Sequence, residues 1–523
     1  MVQSSDHIKA SFPLYGLRVP MVSCLLKKNQ IGKGFTMMFS GKSRVWLPLV
    51  FAAGLLAACG PNATLLSEAD EARIGAEEHG KIMKAYGGAY GDERVNDYVE
   101  AIMEKIARAS DKPDQQFQIT VLNSPVVNAF ALPGGYTYVT RGLLALANSE
   151  AELAGVIGHE IGHVTARHGA RRHTAAVGAA IVGSVLGAVL SNRTGLDPQA
   201  AGDLINFGGS AILAGYSRSQ EYEADDIGVR VLGRAGYRPE AQADFLAALG
   251  GYSSYMRDGR VGAPAWLSTH PSTDERVARA RQKAAAFKPD PARGNGAAGA
   301  PLTQGRNRHL QIIDGLPFGD DIKQGLIRGQ RFVHPDLRFE FTVPKKFTLK
   351  NAPDRVTATH KNGMELLFDL AGRKEAQRPV DYIRNDWAPR GSQLDVSALT
   401  VAGRPAALGK LRQGGKYIEL LVVEYSLSQV MRFALISPAN LSGNAQSAMQ
   451  TVRRGVKLLS AAQAARIKPD RIRVITVQPG DTLESLSRNM ATDERRQDLL
   501  LALNNLQKPV TLKPGMRLKL VVN

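Results

Sequence analysis

Cysteine is nearly absent from this chain. Cys24 and Cys59 are the only two among 523 residues, so at most one disulfide can form. Acidic residues are also in deficit: 48 Asp and Glu face 66 Lys and Arg, a net charge of +18. The first 58 residues hold seven basic residues and one acid, which leaves +12 for the remainder, a surplus that favours anionic surfaces such as phospholipid headgroups. No nucleic-acid-binding motif accompanies the charge, so no nucleic-acid partner is expected. Long apolar runs are missing too. Residues 45–58 are apolar over only about 14 positions, and the uncharged residues 174–191 are rich in Gly and Ala, so neither makes a strongly lipophilic span. What remains, 44% hydrophobic and 22% charged residues, is the composition of a folded protein, with length for roughly two to four domains.

The densest chemistry lies in residues 151–169, A-E-L-A-G-V-I-G-H-E-I-G-H-V-T-A-R-H-G. Leu153, Val156, Ile157, Ile161 and Val164 recur at three- and four-residue spacing, which predicts an amphipathic helix. Ser149, with Glu152 three residues later, forms a capping box that sets its start. His159 and His163 stand four apart and project one above the other. Two neutral imidazoles so placed can hold a zinc ion, and Glu160 can reach a metal-bound water as general base. Two ordinary histidines on a helix would not need the complete H-E-x-x-H pattern.

The third ligand is not adjacent. A thermolysin-like site needs a Glu about twenty residues on, yet after His163 the first acid is Asp197 and the first Glu is Glu221. A metzincin site needs Gly and His where this chain has Ala166 and Gly169. His168 and His173 fall off the face of His163 on a continuous helix, and read as surface histidines among Arg167, Arg171 and Arg172. Glu221 and Asp225 remain, four apart on a predicted helix; one can bind metal while the other orients a ligand histidine. Glu223 points elsewhere. Upstream, residues 117–122 alternate as a strand, and 127–140 read as strand, Pro-Gly-Gly turn and strand. The edge there either pairs with an extended peptide or is plain structural sheet. His270, followed by Pro271 and Ser272, is either a functional residue or a helix-entry residue.

His159-Glu-Ile-Gly-His163 with Glu221-Tyr-Glu-Ala-Asp225 resembles the HtpX/BepA-like zinc endopeptidases, relatives of the CAAX prenyl proteases. Asn128-Ala-Phe-Ala-Leu-Pro-Gly-Gly-Tyr136 and Thr269-His-Pro-Ser-Thr-Asp-Glu-Arg276 resemble that family as well, so the likeness covers about residues 67–287 through four ordered motifs. It implies one Zn2+ held by His159, His163 and Glu221, with Glu160 as catalytic base and Asp225 orienting a ligand. His270 matches a loop histidine that approaches the metal, and Arg276 is a candidate ion-pair partner. Integral members of the family span the membrane in the region of 174–191; here a buried or membrane-touching helix is expected.

Ahead of this lies a leader. Lys42 and Arg44, apolar residues to Ala58 and then Cys59 describe a secretory signal. Leu56-Ala57-Ala58-Cys59 resembles a bacterial lipobox, whose cysteine is lipidated and becomes the mature N-terminus, leaving no thiol for a disulfide. Gly60 follows, without the Asp that retains many lipoproteins at the inner membrane, so outer-membrane anchoring facing the periplasm is expected. Downstream, residues 288–306 form a Pro/Gly/Ala linker, and alternating runs from 331 to 436 with a helix at 442–456 predict an α+β domain. At the C-terminus, Gly480-Asp-Thr-Leu483, Asn504-Asn505 and Leu512-Lys-Pro-Gly515 within a strand, helix, helix, strand order resemble a LysM module. Such modules bind N-acetylglucosamine polymers such as peptidoglycan. The charged stretch 491–497, and Glu484 where a large residue is common, depart from that pattern. The tetratricopeptide-like repeats of BepA are not present.

The expected fold class is α+β multidomain: a mainly helical zincin-type (gluzincin) protease domain with a small edge-strand sheet, an α+β accessory domain and a βααβ LysM-like module. The expected boundaries are 1–36 upstream extension, 37–58 signal peptide, 59–66 lipidated tether, 67–287 protease, 288–327 linker, 328–460 accessory domain and 472–522 LysM-like module. The expected function is zinc-dependent endopeptidase cleavage of misfolded or stalled cell-envelope proteins. The alternatives are a periplasmic chaperone or assembly factor with a latent peptidase, and a peptidoglycan-associated anchor or amidohydrolase.

Overall fold

The computed structural model describes residues 64–177, 215–258, 264–271, 274–288, 302–389, 391–492 and 495–523. The expected upstream extension, signal peptide and lipidated Cys59 lie outside the described residues, as do most of 174–191 and residues 289–301 of the linker. Among the described residues no helix is long and apolar enough to cross a membrane.

The segment expected to be the peptidase is built around helix α4, Glu150–Thr165, with α1 (Glu68–Ala85), α2 (Glu93–Ala109) and α3 (Arg141–Leu146) before it. A three-stranded sheet precedes α3 and α4: β1 (Gln118–Leu122), β2 (Ala129–Ala131) and β3 (Tyr136–Thr140), in the order β1-β3-β2. β1 runs parallel to the central β3, and β2 antiparallel to it with Ala129 opposite Val139. The turn between β2 and β3 needs Gly135: it sits at φ +91°, and a Cβ there would lie 2.2 Å from the Gln116 carbonyl oxygen.

α4 differs from the expected amphipathic helix, since every residue from Glu150 to His163 is buried. It is packed against α5 (Arg218–Arg234), α6 (Ala241–Asp258), α2 and β2, which leaves no polar face to solvent over that stretch. The capping box is half present. Ser149 Oγ accepts from the Glu152 amide, but the Glu152 carboxylate accepts from the Asn148 amide, one residue before the cap. Two short helices complete the segment, α7 (Trp266–Thr269) and α8 (Asp274–Ala286).

α4 and α5 approach closely because glycines line their crossing. A Cβ at Gly162 would lie 3.1 Å from the Ala224 carbonyl oxygen, and one at Gly228 3.2 Å from the His159 amide nitrogen. A branched side chain does not fit. Gly162→Val is expected to cost about 1–3 kcal/mol of stability, read by urea unfolding, by forcing the two helices apart. An unchanged midpoint would show that the crossing can relax.

Residues 302–327, the larger part of the expected linker, are not a free tether. The Ala151 amide donates to the Gln304 carbonyl, and α9 (Arg306–Ile313) buries Leu310 and Ile313 in the peptidase core. Arg306, Asn307 and Arg308 precede the apolar residues that do this, so the helix opens on a polar turn behind a Gly- and Pro-rich lead-in and carries little apolar signal.

The accessory domain follows as two sheets. β4 (Leu326–Arg328), β5 (Arg331–His334), β6 (Phe339–Thr342) and the later β14 (Lys457–Leu458) make four strands, ordered β14-β6-β5-β4. β7 (Thr348–Ala352), β8 (Arg355–Thr359), β9 (Glu365–Gly372), β10 (Leu394–Val401), β11 (Arg404–Gln413), β12 (Lys416–Glu424) and β13 (Gln429–Pro438) make the antiparallel order β10-β11-β12-β13-β9-β8-β7. Helix α10 (Ser442–Gly455) packs Ala445, Met449 and Val452 into a core with Phe339, Phe341, Phe368 and Phe433.

The C-terminal segment is the expected βααβ unit: β15 (Arg471–Thr476), α11 (Leu483–Arg488), α12 (Arg496–Leu503) and β16 (Arg517–Val522), with β15 and β16 antiparallel. Leu499, Leu500, Leu518 and Leu520 belong to the same apolar cluster as the peptidase helices, so this unit shares the peptidase core.

Candidate metal centre

Helical geometry places the first two groups. His159 and His163 stand four positions apart on α4, and their Nε2 atoms lie 3.0 Å apart. α5 crosses this face and brings in Glu221, whose Oε1 is 3.5 Å from His163 Nε2 and whose Oε2 is 3.6 Å from His159 Nε2. His270, in the turn after α7, joins them: its Nδ1 is 3.0 Å from Glu221 Oε1 and 3.3 Å from His159 Nε2. One ligand atom from each of these four buried residues lies within 4.8 Å of the others.

The outer nitrogens decide which way the lone pairs point. His159 Nδ1 lies 2.9 Å from Asp225 Oδ1, and His163 Nδ1 lies 2.8 Å from His168 Nδ1. With those nitrogens protonated, both Nε2 lone pairs face the point toward which Glu221 is also turned. Two lone pairs and a carboxylate converging in a buried site repel one another unless a cation lies between them. The residues therefore fit a divalent metal, and two imidazoles with one carboxylate is a donor set that zinc takes.

Asp225 is held on three sides. It accepts from Arg276 Nε at 2.7 Å and Nη2 at 2.8 Å, and from Gln242 Nε2 at 3.1 Å. Burial raises its pKa, but the hydrogen bonds from Arg276 and His159 outweigh that and bring it to about 2. Arg276 also meets Glu221 Oε2 at 2.6 Å, so one guanidinium orders the carboxylates of Glu221 and Asp225 together. Arg276 is thus the ion-pair partner that the sequence suggested.

Glu160 is fully buried beside His159; its Oε1 accepts from the Trp266 indole at 3.3 Å and lies 3.6 Å from His270 Nε2. Trp266 stacks on His270, with ring centroids 4.8 Å apart, and Tyr216 stacks on His163 at 3.7 Å. Neither aromatic carries a local sequence signal. A cavity of about 610 Å³ opens beside His163 and Tyr216 and runs along residues Ala131 to Gly134, next to the β2 edge.

His168 departs from the surface position expected for it. It is fully buried and bonded to His163, while His173 is half-buried. The cause is a break in the helix. Arg167 adopts a left-handed conformation, φ +54°, held by Glu71 and the Leu66 carbonyl, and the chain turns His168 back onto the metal face. Counting along an unbroken helix could not find this. Glu223 does point away from the centre, toward His168 Nε2 and Arg171, each at 3.0 Å. Burial lowers the His168 pKa, with Glu223 opposing.

Residues 93–284 match Peptidase family M48 and residues 475–521 match the LysM domain. The chain is 31% identical over 252 residues to the beta-barrel assembly-enhancing protease of Yersinia pestis, covering 46% of this chain and 50% of that protein. It is 31% identical over 214 residues to the mitochondrial metalloendopeptidase OMA1 of Schizosaccharomyces pombe, covering 40% of this chain and 59% of that one. A 38% match over 164 residues to the Arabidopsis thaliana protein of that name covers 31% and 30%. The chain thus spans about half the length of the first two. The metal-fitting cluster falls wholly inside the segment that matches Peptidase family M48, upstream of the segment that matches the LysM domain.

Proposed function

We propose that this chain is a zinc-dependent endopeptidase of the bacterial cell envelope that cleaves misfolded or stalled envelope proteins. The observation carrying this reading is the convergence of His159, His163 and Glu221 lone pairs beside the buried carboxylate of Glu160. His159, His163 and Glu221 would hold the ion, which when bound polarises water and the scissile carbonyl. Glu160 takes the proton of the attacking water and delivers it to the leaving amide nitrogen. Asp225 and Arg276 keep His159 and Glu221 in place, and Trp266 fixes the Glu160 carboxylate. An extended substrate segment lies along β2 and the adjoining cavity, bound through its main chain. Relatives described as beta-barrel assembly-enhancing proteases support envelope proteins as the substrate class. Lipidated Cys59 is the proposed anchor, and the LysM domain the proposed contact with peptidoglycan.

His270 favours a second reading. A histidine among the other three ligands is placed either to donate to the developing oxyanion or to close the coordination sphere, and closure makes the peptidase latent. A latent form would act chiefly as a chaperone or assembly factor.

The test is removal and return of metal. The purified protein is expected to bind one zinc per chain, to digest unfolded casein, to stop when the zinc is chelated, and to resume on adding one equivalent. Zinc bound without cleavage would favour the latent reading. Cleavage indifferent to chelation, or no zinc bound, would remove the metallopeptidase assignment.

A further inference from the structure

We infer that His168 is a positioning residue for the metal ligand His163, setting that ligand's tautomer through a two-bond chain that ends at Glu223. The inference rests on the metal-centre reading above and extends it to a residue outside the H-E-x-x-H and Glu221–Asp225 motifs.

The chain is directional. His168 Nε2 lies 3.0 Å from the Glu223 carboxylate, so that nitrogen carries a proton and donates. A neutral imidazole protonated at Nε2 has its lone pair on Nδ1. His168 Nδ1 faces His163 Nδ1 at 2.8 Å, so His163 must supply the proton of that bond. His163 Nε2 is then left bare toward Glu221 and His159. Were His168 turned to the opposite tautomer, His163 would present an N–H to the metal position and could not ligate. Arg171 donates to the same Glu223 oxygen and holds it in place, and Gln220 Nε2 donates to the His168 carbonyl at 3.3 Å, holding the residue at the break after α4. The Tyr216 ring closes the face of His163, so its rotation is blocked while His168 sets its protonation.

The two histidine ligands are thus served differently. His159 meets the carboxylate of Asp225 directly, whereas His163 meets that of Glu223 through an intervening imidazole. The outer end of the second chain is near solvent, because the Glu223 side chain is 44% exposed. A ligand at the heart of the site is therefore tuned from the protein surface.

Two amide substitutions separate this role from simple packing. In His168→Asn the side-chain oxygen takes the place of Nδ1, so the acceptor facing His163 survives and the Glu223 contact is lost. In His168→Gln the amide nitrogen takes the place of Nε2, so the Glu223 contact survives and the His163 acceptor is lost. Zinc affinity, measured by competition with a chromogenic chelator, is expected to fall about 10- to 100-fold in His168→Gln and less than about threefold in His168→Asn. Glu223→Ala, a change at a half-exposed site, is expected to fall between them. Circular dichroism melts of the zinc-free proteins verify that each variant is folded, and if His168→Gln does not fold, Glu223→Ala carries the test. Equal affinities for Asn and Gln, a reversed order, or full affinity in Glu223→Ala would overturn the His168 role while leaving the metal centre standing. A parent protein that binds no zinc overturns the metal centre, and this proposal with it.

Discussion

A Glu160→Gln variant is expected to lose cleavage of unfolded protein by about 10²- to 10⁴-fold, the range for removal of a general base, while binding zinc as the parent does. The substitution keeps size and shape in a site that is fully buried, so repacking does not confuse the result. It also keeps an oxygen to accept from the Trp266 indole, the contact that now fixes Glu160 Oε1. What it removes is the second oxygen as a base. Glu160 Oε2 is buried without a hydrogen-bond partner among the described residues, which is costly for a carboxylate unless the reacting molecule supplies the partner. The loss should appear in kcat more than in KM, because the carboxylate acts on a proton that moves only in the transition state. Zinc content and melting temperature measured on the same preparation separate this from damage to the site. A variant with zinc bound and activity within tenfold of the parent would assign the base elsewhere, with His270, 3.6 Å from Glu160, the first candidate.

How much of this centre was legible in the sequence follows from how local each part is. The facing of His159 and His163, and the pairing of Glu221 with Asp225, need only the pitch of one helix, so spacing alone reveals them. The meeting of those two helices needs the small residues at Gly158, Gly162 and Gly228, whose role shows only once the crossing is built. His168 escapes helical counting because a single left-handed residue, Arg167, cancels the period. Trp266 and Tyr216 give no sequence signal, because stacking on an imidazole leaves no periodic trace. The α+β accessory domain and the βααβ unit were readable from alternation and turn residues, since sheets with one buried face advertise their register. The docking of that last unit was not. In Arg517-Leu-Lys-Leu520, Lys519 reads as a solvent-facing position of an alternating strand, and it is fully buried.

Lys519 carries the second large effect. Its ammonium donates to the Ala145, Leu146 and Ala147 carbonyls at 2.8, 2.8 and 2.9 Å, acceptors at the C-terminal end of α3 that lie past its last intrahelical bonds. Burial pulls its pKa well down, with the charge of Glu152 opposing. Three acceptors nonetheless match the three donors of an ammonium, whereas a neutral amine would turn a lone pair on one carbonyl, and the C-terminal end of a helix favours a cation. The three carbonyls end two residues before Ser149, the cap of α4, and Arg306 and His309 grip the same turn through the Asn148, Leu144 and Ala147 carbonyls. The last strand of the chain therefore holds the start of the helix that carries His159 and His163. Lys519→Met fills the volume but takes a donor from three buried carbonyls, leaving that of Ala145 without a side-chain donor, and removes the cation that offsets the buried charge of Glu152; it is expected to cost about 3–5 kcal/mol in urea unfolding. Because the LysM unit and the peptidase share one apolar cluster, the loss should shift a single transition, and amides 150–153 should exchange fastest relative to the parent. A cost below about 1 kcal/mol, or a LysM unit that melts separately while the peptidase keeps its metal, would mean that the two are joined only by the chain. With the expected outcome, the LysM unit is a wall of the peptidase, and a peptidase segment cut off before residue 471 would lack the cation that closes α3 ahead of the metal-binding helix.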